Sequence, residues 1–241
     1  MLKEFSVAIL TPTTGICRMA YAQSLARLVG YFAQVRVFPD LARQMLATDS
    51  VEGSGIAANY ECMVTKYLND KDTRWTHFLS IEDDMGFLPD CLHIMARREL
   101  PIVAANYSTN KGTPLRFVSG GLGKKLPTTE DSTGLEEAGL VAQGFTLVAR
   151  EVYEAIPKPW FMTGYCPETG NYVYQDYYFS EQARKAGFKL YVDHDVSKRI
   201  WHVGTKHYSW QDALIDHKKE EVADNGNIPG TLRPVCELGA R

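Results

Sequence analysis

The sequence predicts an α/β fold: one open mixed sheet, mostly parallel, with helices on both faces. Three observations predict it. Short apolar runs end in turn residues, the stretches between them carry a helical apolar period, and the two alternate as β-α-β-α-β-α-β through the first part of the chain. With 241 residues, 45% of them hydrophobic, the chain is large enough for one domain with a substantial core.

Ser6–Leu10 reads as the first strand and runs into the hydroxyl-rich turn Thr11-Pro12-Thr13-Thr14-Gly15. Tyr21, Leu25, Leu28, Val29 and Phe32 then recur on one helical face. Gln34–Phe38 reads as a second strand stopped by Pro39-Asp40, and Asp49–Gly55 as a polar loop. Ile56–Leu68 is the next helix, with Tyr60, Met63, Val64 and Tyr67 on its apolar side. Thr76–Ile81 is a strand that runs straight into Glu82-Asp83-Asp84. Pro89 opens a helix carrying Leu92, Ile94 and Met95, and Ile102–Ala105 is again strand.

The second half is less regular. Arg116–Leu126, with Gly120, Gly121 and Gly123, reads as a hairpin or mobile loop, and Leu126–Ala138 as an exposed polar stretch. Leu140–Ala149 reads as strand, Glu151–Ile156 as a short helix, and Lys158–Asn171 as a loop rich in Pro, Gly and aromatics. A helix over Gln175–Ala186 stops at Gly187, and Phe188–Asp193 alternates as a strand. After Trp210 the pattern fades. The expected organisation is a domain over residues 1–215 and a polar C-terminal tail over 216–241.

A net charge of -3 argues against a strongly basic protein that coats nucleic acid. The apolar runs are strand-sized, which predicts no membrane span, and Met1-Leu2-Lys3-Glu4-Phe5 lacks the pattern of a signal peptide. Five widely spaced cysteines without a C-x-x-C pair imply free thiols, a cytoplasmic location and no zinc site. Cys62 and Cys91 fall in expected helices and read as small core residues.

Three constellations carry chemistry. Glu82-Asp83-Asp84 crowds three carboxylates at the C-terminal end of an apolar strand, where open α/β sheets bind ligands. A hard divalent cation would offset their repulsion; an acidic turn capping the next helix is the plainer alternative. Asp176 opens a helix, as a cap or as a rigidly held general base. His202, in Trp201-His202-Val203-Gly204, reads as a structural residue or a metal ligand.

In combination these blocks resemble the GT-A glycosyltransferases, within them the small bacterial and phage enzymes related to family two. The resemblance runs from about Val7 to Gly204. Val7–Gly15 is similar to the family's first strand and nucleotide loop. Gly55–Leu68 with Asn59 is similar to its A-R-N helix, and Phe78–Met85 to its D-x-D strand. "QGFTLVAREVYEAI" resembles the acceptor-side strand and helix. "PWF", "YQDYYFSEQARKAGFKLYVD" and "WHVG" resemble its last three blocks.

The resemblance implies a GT-A fold with an acceptor-side region, a nucleotide-diphosphate-sugar donor, and Mn2+ or Mg2+ as cofactor. It assigns Asp84 and His202 to the metal and Asp176 to base catalysis. Thr11, Pro12, Thr13, Asn59, Glu82 and Asp83 fall to the donor side. Glu82 stands where the family has Asp, Gln175 where it has Glu, and Ala58 where it has Arg; Arg18 and Lys111 are the cations available to replace the last.

Trp160, Phe161, Tyr165, Tyr172 and Tyr174 suit an acceptor wall or the packing of a small lobe, and the Gly120–Gly123 loop or the Lys124–Ala138 region suits a cover over the donor. The acceptor is open among a hydroxymethylated DNA base, which the basic stretch Lys198–Lys206 keeps in view, a glycan, a lipid-linked sugar and a protein. The rival readings are a nucleotidyltransferase, against which the missing Gly-rich, Lys-bearing phosphate loop counts, and a non-catalytic nucleotide-sugar-binding protein.

Overall fold

The computed structural model describes residues 4–53, 55–110, 114–167, 170–204 and 207–223. In chain order the elements are β1 (Glu4–Thr13), α1 (Met19–Gln34), β2 (Arg43–Glu52), α2 (Ile56–Leu68), β3 (His77–Ile81), β4 (Met85–Phe87), α3 (Cys91–Ala96), β5 (Ile102–Ala104) and β6 (Leu135–Ala138). They continue as β7 (Phe145–Ala149), α4 (Arg150–Ala155), β8 (Gly164–Cys166), β9 (Asn171–Val173), α5 (Gln175–Lys185), β10 (Leu190–Asp193), α6 (His194–Ser197), β11 (Ile200–Val203), β12 (His207–Tyr208) and α7 (Trp210–Ala223).

The main sheet has the order β2-β1-β3-β7-β5-β10-β6. β1 runs parallel to β2 and β3, and β10 parallel to β5. β7 enters antiparallel between β3 and β5, and β6 closes the far edge antiparallel to β10. β1 shows why the sheet sits where it does. Successive side chains point to opposite faces. Phe5, Val7 and Ile9 pack with Tyr21, Leu28 and Phe32 of α1, while Ala8 and Leu10 pack with Tyr60, Met63 and Val64 of α2. Strands covered on both faces need apolar residues at every position, which is what β1 has from Val7 to Leu10.

Gln34–Phe38 is not a strand. Gln34 ends α1, and the backbone groups beyond it are taken by side chains. Val37 N–H donates to Gln44 Oε1 at 2.8 Å, His93 Nε2 donates to Val35 O at 2.9 Å, and Arg97 Nε donates to Val37 O at 2.8 Å. Val37 is buried without a ladder. The strand is β2, an edge strand whose polar residues alternate toward solvent, so Asp49–Glu52 is ladder rather than loop.

The polar stretch before β7 also departs from its expected exposure: Leu126 and Thr128 are buried, and Leu135–Ala138 is β6. Glu136 and Glu137 are tolerated there because Lys124 and Lys189 pair with them. The Gly-rich 116–126 segment is tied by bridges of Gly120 to Lys125 and Leu140. Cys62 is exposed, because it lies on the outer side of α2, and Cys17 is likewise exposed; Cys91 and Cys166 are buried.

Where the apolar pattern fades, α7 forms with Trp210, Ala213 and Leu214 buried, and the division placed after residue 215 falls within this helix. Lys111, Lys206, Cys236 and the tail from 224 onward lie outside the described residues. No helix among the described residues is long and apolar enough to cross a membrane.

Candidate active site

The acidic turn follows β3 and reverses into β4. Four backbone bonds hold it, one of them from Val203 N to Asp84 O at 2.8 Å. Met85 N donates to Glu82 O at 3.1 Å, Glu82 N to Gly144 O at 3.2 Å, and Arg18 N to Asp83 O at 2.9 Å. The turn is thereby tied to the β1–α1 loop on one side and the loop before β7 on the other. Gly144 is required at its position: a Cβ there would collide with the Tyr107 hydroxyl and lie 2.9 Å from a Glu82 carboxylate oxygen.

β4, β11 and β12 form a second small sheet, and its register sets His202 opposite Met85. His202 Nε2 stands 3.0 Å from Asp84 Oδ2. Nδ1 lies 3.0 Å from Ser108 O. A carbonyl only accepts, so Nδ1 carries the hydrogen and Nε2 is the atom turned toward the carboxylates. Tyr107 packs edge-on against the imidazole, and Asn110 Nδ2 donates to Asp84 Oδ2 at 3.1 Å. Neither Tyr107 nor Asn110 is visible in the sequence pattern, because both lie in an aperiodic segment after β5.

One ligand atom each from Glu82, Asp84 and His202 falls within 4.8 Å of the others. Two carboxylate oxygens and one imidazole nitrogen at that spacing form a set able to hold a divalent metal ion. The charges differ sharply within the turn. Burial raises the Asp84 pKa, but the hydrogen bond and charge of His202, with Asn110, outweigh it and hold the carboxyl below its usual range. Glu82 has no such partner. Burial first, then the charges of Asp176, Asp84 and Asp83, push it from 4.5 up to about 8.

That shift predicts a pH dependence. The folded chain keeps a proton on Glu82 that the unfolded chain releases above about pH 4.5. Glu82 therefore takes nothing from stability below that pH and progressively destabilises the fold as pH rises toward 8. Metal-free Glu82→Gln is expected to lose this part of the decline in Tm between pH 5 and 8. Parallel melting-temperature profiles for variant and parent would overturn the assignment.

Asp176 lies in the first turn of α5. The N-cap is Tyr174, without a side-chain cap bond. Oδ1 of Asp176 is shut off from solvent and has no hydrogen-bond partner. Burial raises its pKa to about 6, against backbone bonds that include the N–H of Gln143. Since Gln143 neighbours Gly144, one short loop links Asp176 to the Glu82 turn.

On the β1 side lies a cleft of about 510 Å3, lined among others by Thr11, Thr13, Gly15, Asp49, Glu52 and Asp83. Thr11 Oγ1 and the Tyr21 hydroxyl are 2.5 Å apart. Pro12 is buried in the strand between the two threonines and is not part of the lining. Asn59 is buried and donates to Val51 O at 3.1 Å, so it holds the β2–α2 connection rather than the cleft wall. Arg18 is exposed and joins the site through its backbone.

Of the aromatics before α5, Trp160 and Phe161 are core residues, 4% and 3% exposed, packed with Tyr153 and Phe179. Tyr165, Tyr172 and Tyr174 are exposed.

No family model and no curated protein sequence matches the chain. Solved structures do. The crystal structure of GalNAc-T7 with UDP, GalNAc and Mn2+ superposes with a TM-score of 0.54 at 8% identity, over 83% of this chain and 43% of that one. The fold is of the GT-A type. A197 from STIV matches with the same TM-score of 0.54 at 17% identity, over 83% of this chain and 86% of that one. At these identities the likeness is one of fold, and the GT-A sheet places the acidic turn at the C-terminal edge of β3.

Proposed function

We propose that the chain is a metal-dependent glycosyltransferase that moves a sugar from a nucleotide-diphosphate sugar to an acceptor hydroxyl. The observation that carries this reading is the Glu82, Asp84 and His202 set beside the Thr11–Asp83 cleft, with Asp176 across the Gln143–Gly144 loop. The cleft would take the nucleoside. Asp84 and His202, with Glu82, would hold Mn2+ or Mg2+, which supplies positive charge opposite the departing diphosphate. Asp176, with a free carboxylate oxygen and a pKa near 6, would take the proton of the attacking acceptor hydroxyl. Asn110 and Ser108 fix the orientation of the ligands.

A panel of nucleotide-sugars screened by thermal shift with manganese tests the reading, since a ligand that binds only the native state raises Tm. One donor is expected to stabilise the chain and to be hydrolysed slowly to the nucleoside diphosphate. Release of pyrophosphate instead would point to nucleotidyl transfer, and donor binding without any turnover to a binding protein. His202→Ala is expected to weaken the manganese response by roughly ten- to a hundredfold, the range for disturbing a metal site's ligand shell. Its metal-free melting temperature should fall only slightly at neutral pH, by no more than the roughly 2–4 °C expected for losing the support that His202 gives the ionised Asp84. Early unfolding with an unchanged metal titration would remove it from the metal site.

A further inference from the structure

The β8–β9 hairpin has two unlike faces. Tyr165 pairs directly with Tyr172 in its ladder, so both side chains share one face, and Tyr174 follows two residues on in extended backbone. The three are 51%, 64% and 57% exposed, and the Tyr165 and Tyr172 rings meet edge to face at 5.4 Å. Cys166 and Val173 make the opposite face and pack against Tyr178 of α5. The hairpin is therefore anchored from below and presents three tyrosines to solvent.

Their place and their charge both bear on what they meet. Tyr174 is two residues before Asp176, whose Oδ1 is buried and unpartnered. Residues 163–177 contain no Lys or Arg, and carry Glu168 and Asp176. A polyanion such as DNA needs cations to neutralise its phosphates. Flat tyrosine faces on a segment that itself bears no Lys or Arg suit a neutral ring whose C–H face can lie on them and whose hydroxyls can reach the phenol groups. We infer that the tyrosine face of the β8–β9 hairpin is the acceptor platform, and that the acceptor it takes is a neutral saccharide whose attacking hydroxyl is delivered to Asp176. This rests on the glycosyl-transfer reading above and narrows its acceptor.

The test uses the full chain without donor or metal. Cellotetraose, chitotetraose and maltotetraose are titrated by ligand-observed NMR, with a duplex DNA oligonucleotide as competitor. At least one saccharide is expected to bind. Tyr172→Ala and Tyr174→Ala should each weaken it by roughly tenfold, the scale of one aromatic contact. Tyr172→Phe and Tyr174→Phe should stay within a few-fold of the parent. Absence of binding by all three saccharides, equal binding by the Ala variants, or DNA that binds more tightly than the saccharides would overturn the platform. Thermal shift by nucleotide-sugars with manganese, run on the same samples, separates the two readings. Saccharide binding without any donor response leaves the platform standing and sinks the transfer reading; a donor response without saccharide binding does the reverse.

Discussion

Asp84→Asn is expected to lower metal-dependent transfer by roughly three orders of magnitude, the rate equivalent of several kcal/mol of lost charge stabilisation at the leaving diphosphate. An amide oxygen still reaches the same place, but it carries no net charge to hold a divalent cation against solvent. The effect on the fold runs opposite to what three crowded carboxylates suggest. Repulsion in the turn falls on Glu82, whereas Asp84 is held ionised by His202 and Asn110. A carboxyl with a depressed folded pKa stabilises the native state above its unfolded pKa, and that contribution is lost as pH falls. Metal-free Asp84→Asn should therefore melt slightly lower at neutral pH, by roughly 2–4 °C for a loss of about 1 kcal/mol. Transfer close to the parent rate with manganese present would sink the metal assignment, whatever the melting curve shows.

What the sequence made legible follows from how its elements are buried. α2 is read to the residue because Tyr60, Met63, Val64 and Tyr67 all pack inward and Gly55 precedes the first turn. β1 and β3 are legible as continuous apolar runs because helices cover both of their faces. β2 is an edge strand, half open to solvent, and its Thr, Asp and Ser residues look like loop. The apolar Val35–Phe38 run mimics a strand, yet Gln44, His93 and Arg97 occupy the backbone groups a ladder would use.

The same contrast holds at the site. Glu82-Asp83-Asp84 announces itself as a charge cluster after a strand. That His202 belongs beside it came from the family resemblance, since only the β4–β11 register brings the two together. Asn110, which holds Asp84, leaves no trace in any periodicity. Trp160 and Phe161 stand next to exposed tyrosines in the sequence, and only the packing of α2, α4 and α5 reveals them as core.

Asp176→Asn separates a base from a structural carboxylate. A base removes the acceptor proton during attack, so its loss is expected to reduce transfer by roughly two to four orders of magnitude. Donor binding relies on the cleft and the metal ligands, and calorimetric affinity for the nucleotide-sugar should stay within a few-fold of the parent. The cap alternative predicts near silence, since Asn caps a helix about as well as Asp. Geometry already weighs on that alternative: the N-cap is Tyr174, and Asp176 leaves one carboxylate oxygen buried and unpartnered instead of spending it on the helix end. The pH profile supplies a second handle. Burial raises the Asp176 pKa to about 6, so the base is in its active, ionised form only above that pH. At saturating donor, transfer by the parent should rise about tenfold per pH unit below pH 6 and level off above it, while residual transfer by Asp176→Asn should lack that limb. A variant that transfers at the parent rate, or one that keeps the same acid limb, would take Asp176 out of the proton transfer and leave the attacking hydroxyl without a base among the residues gathered here.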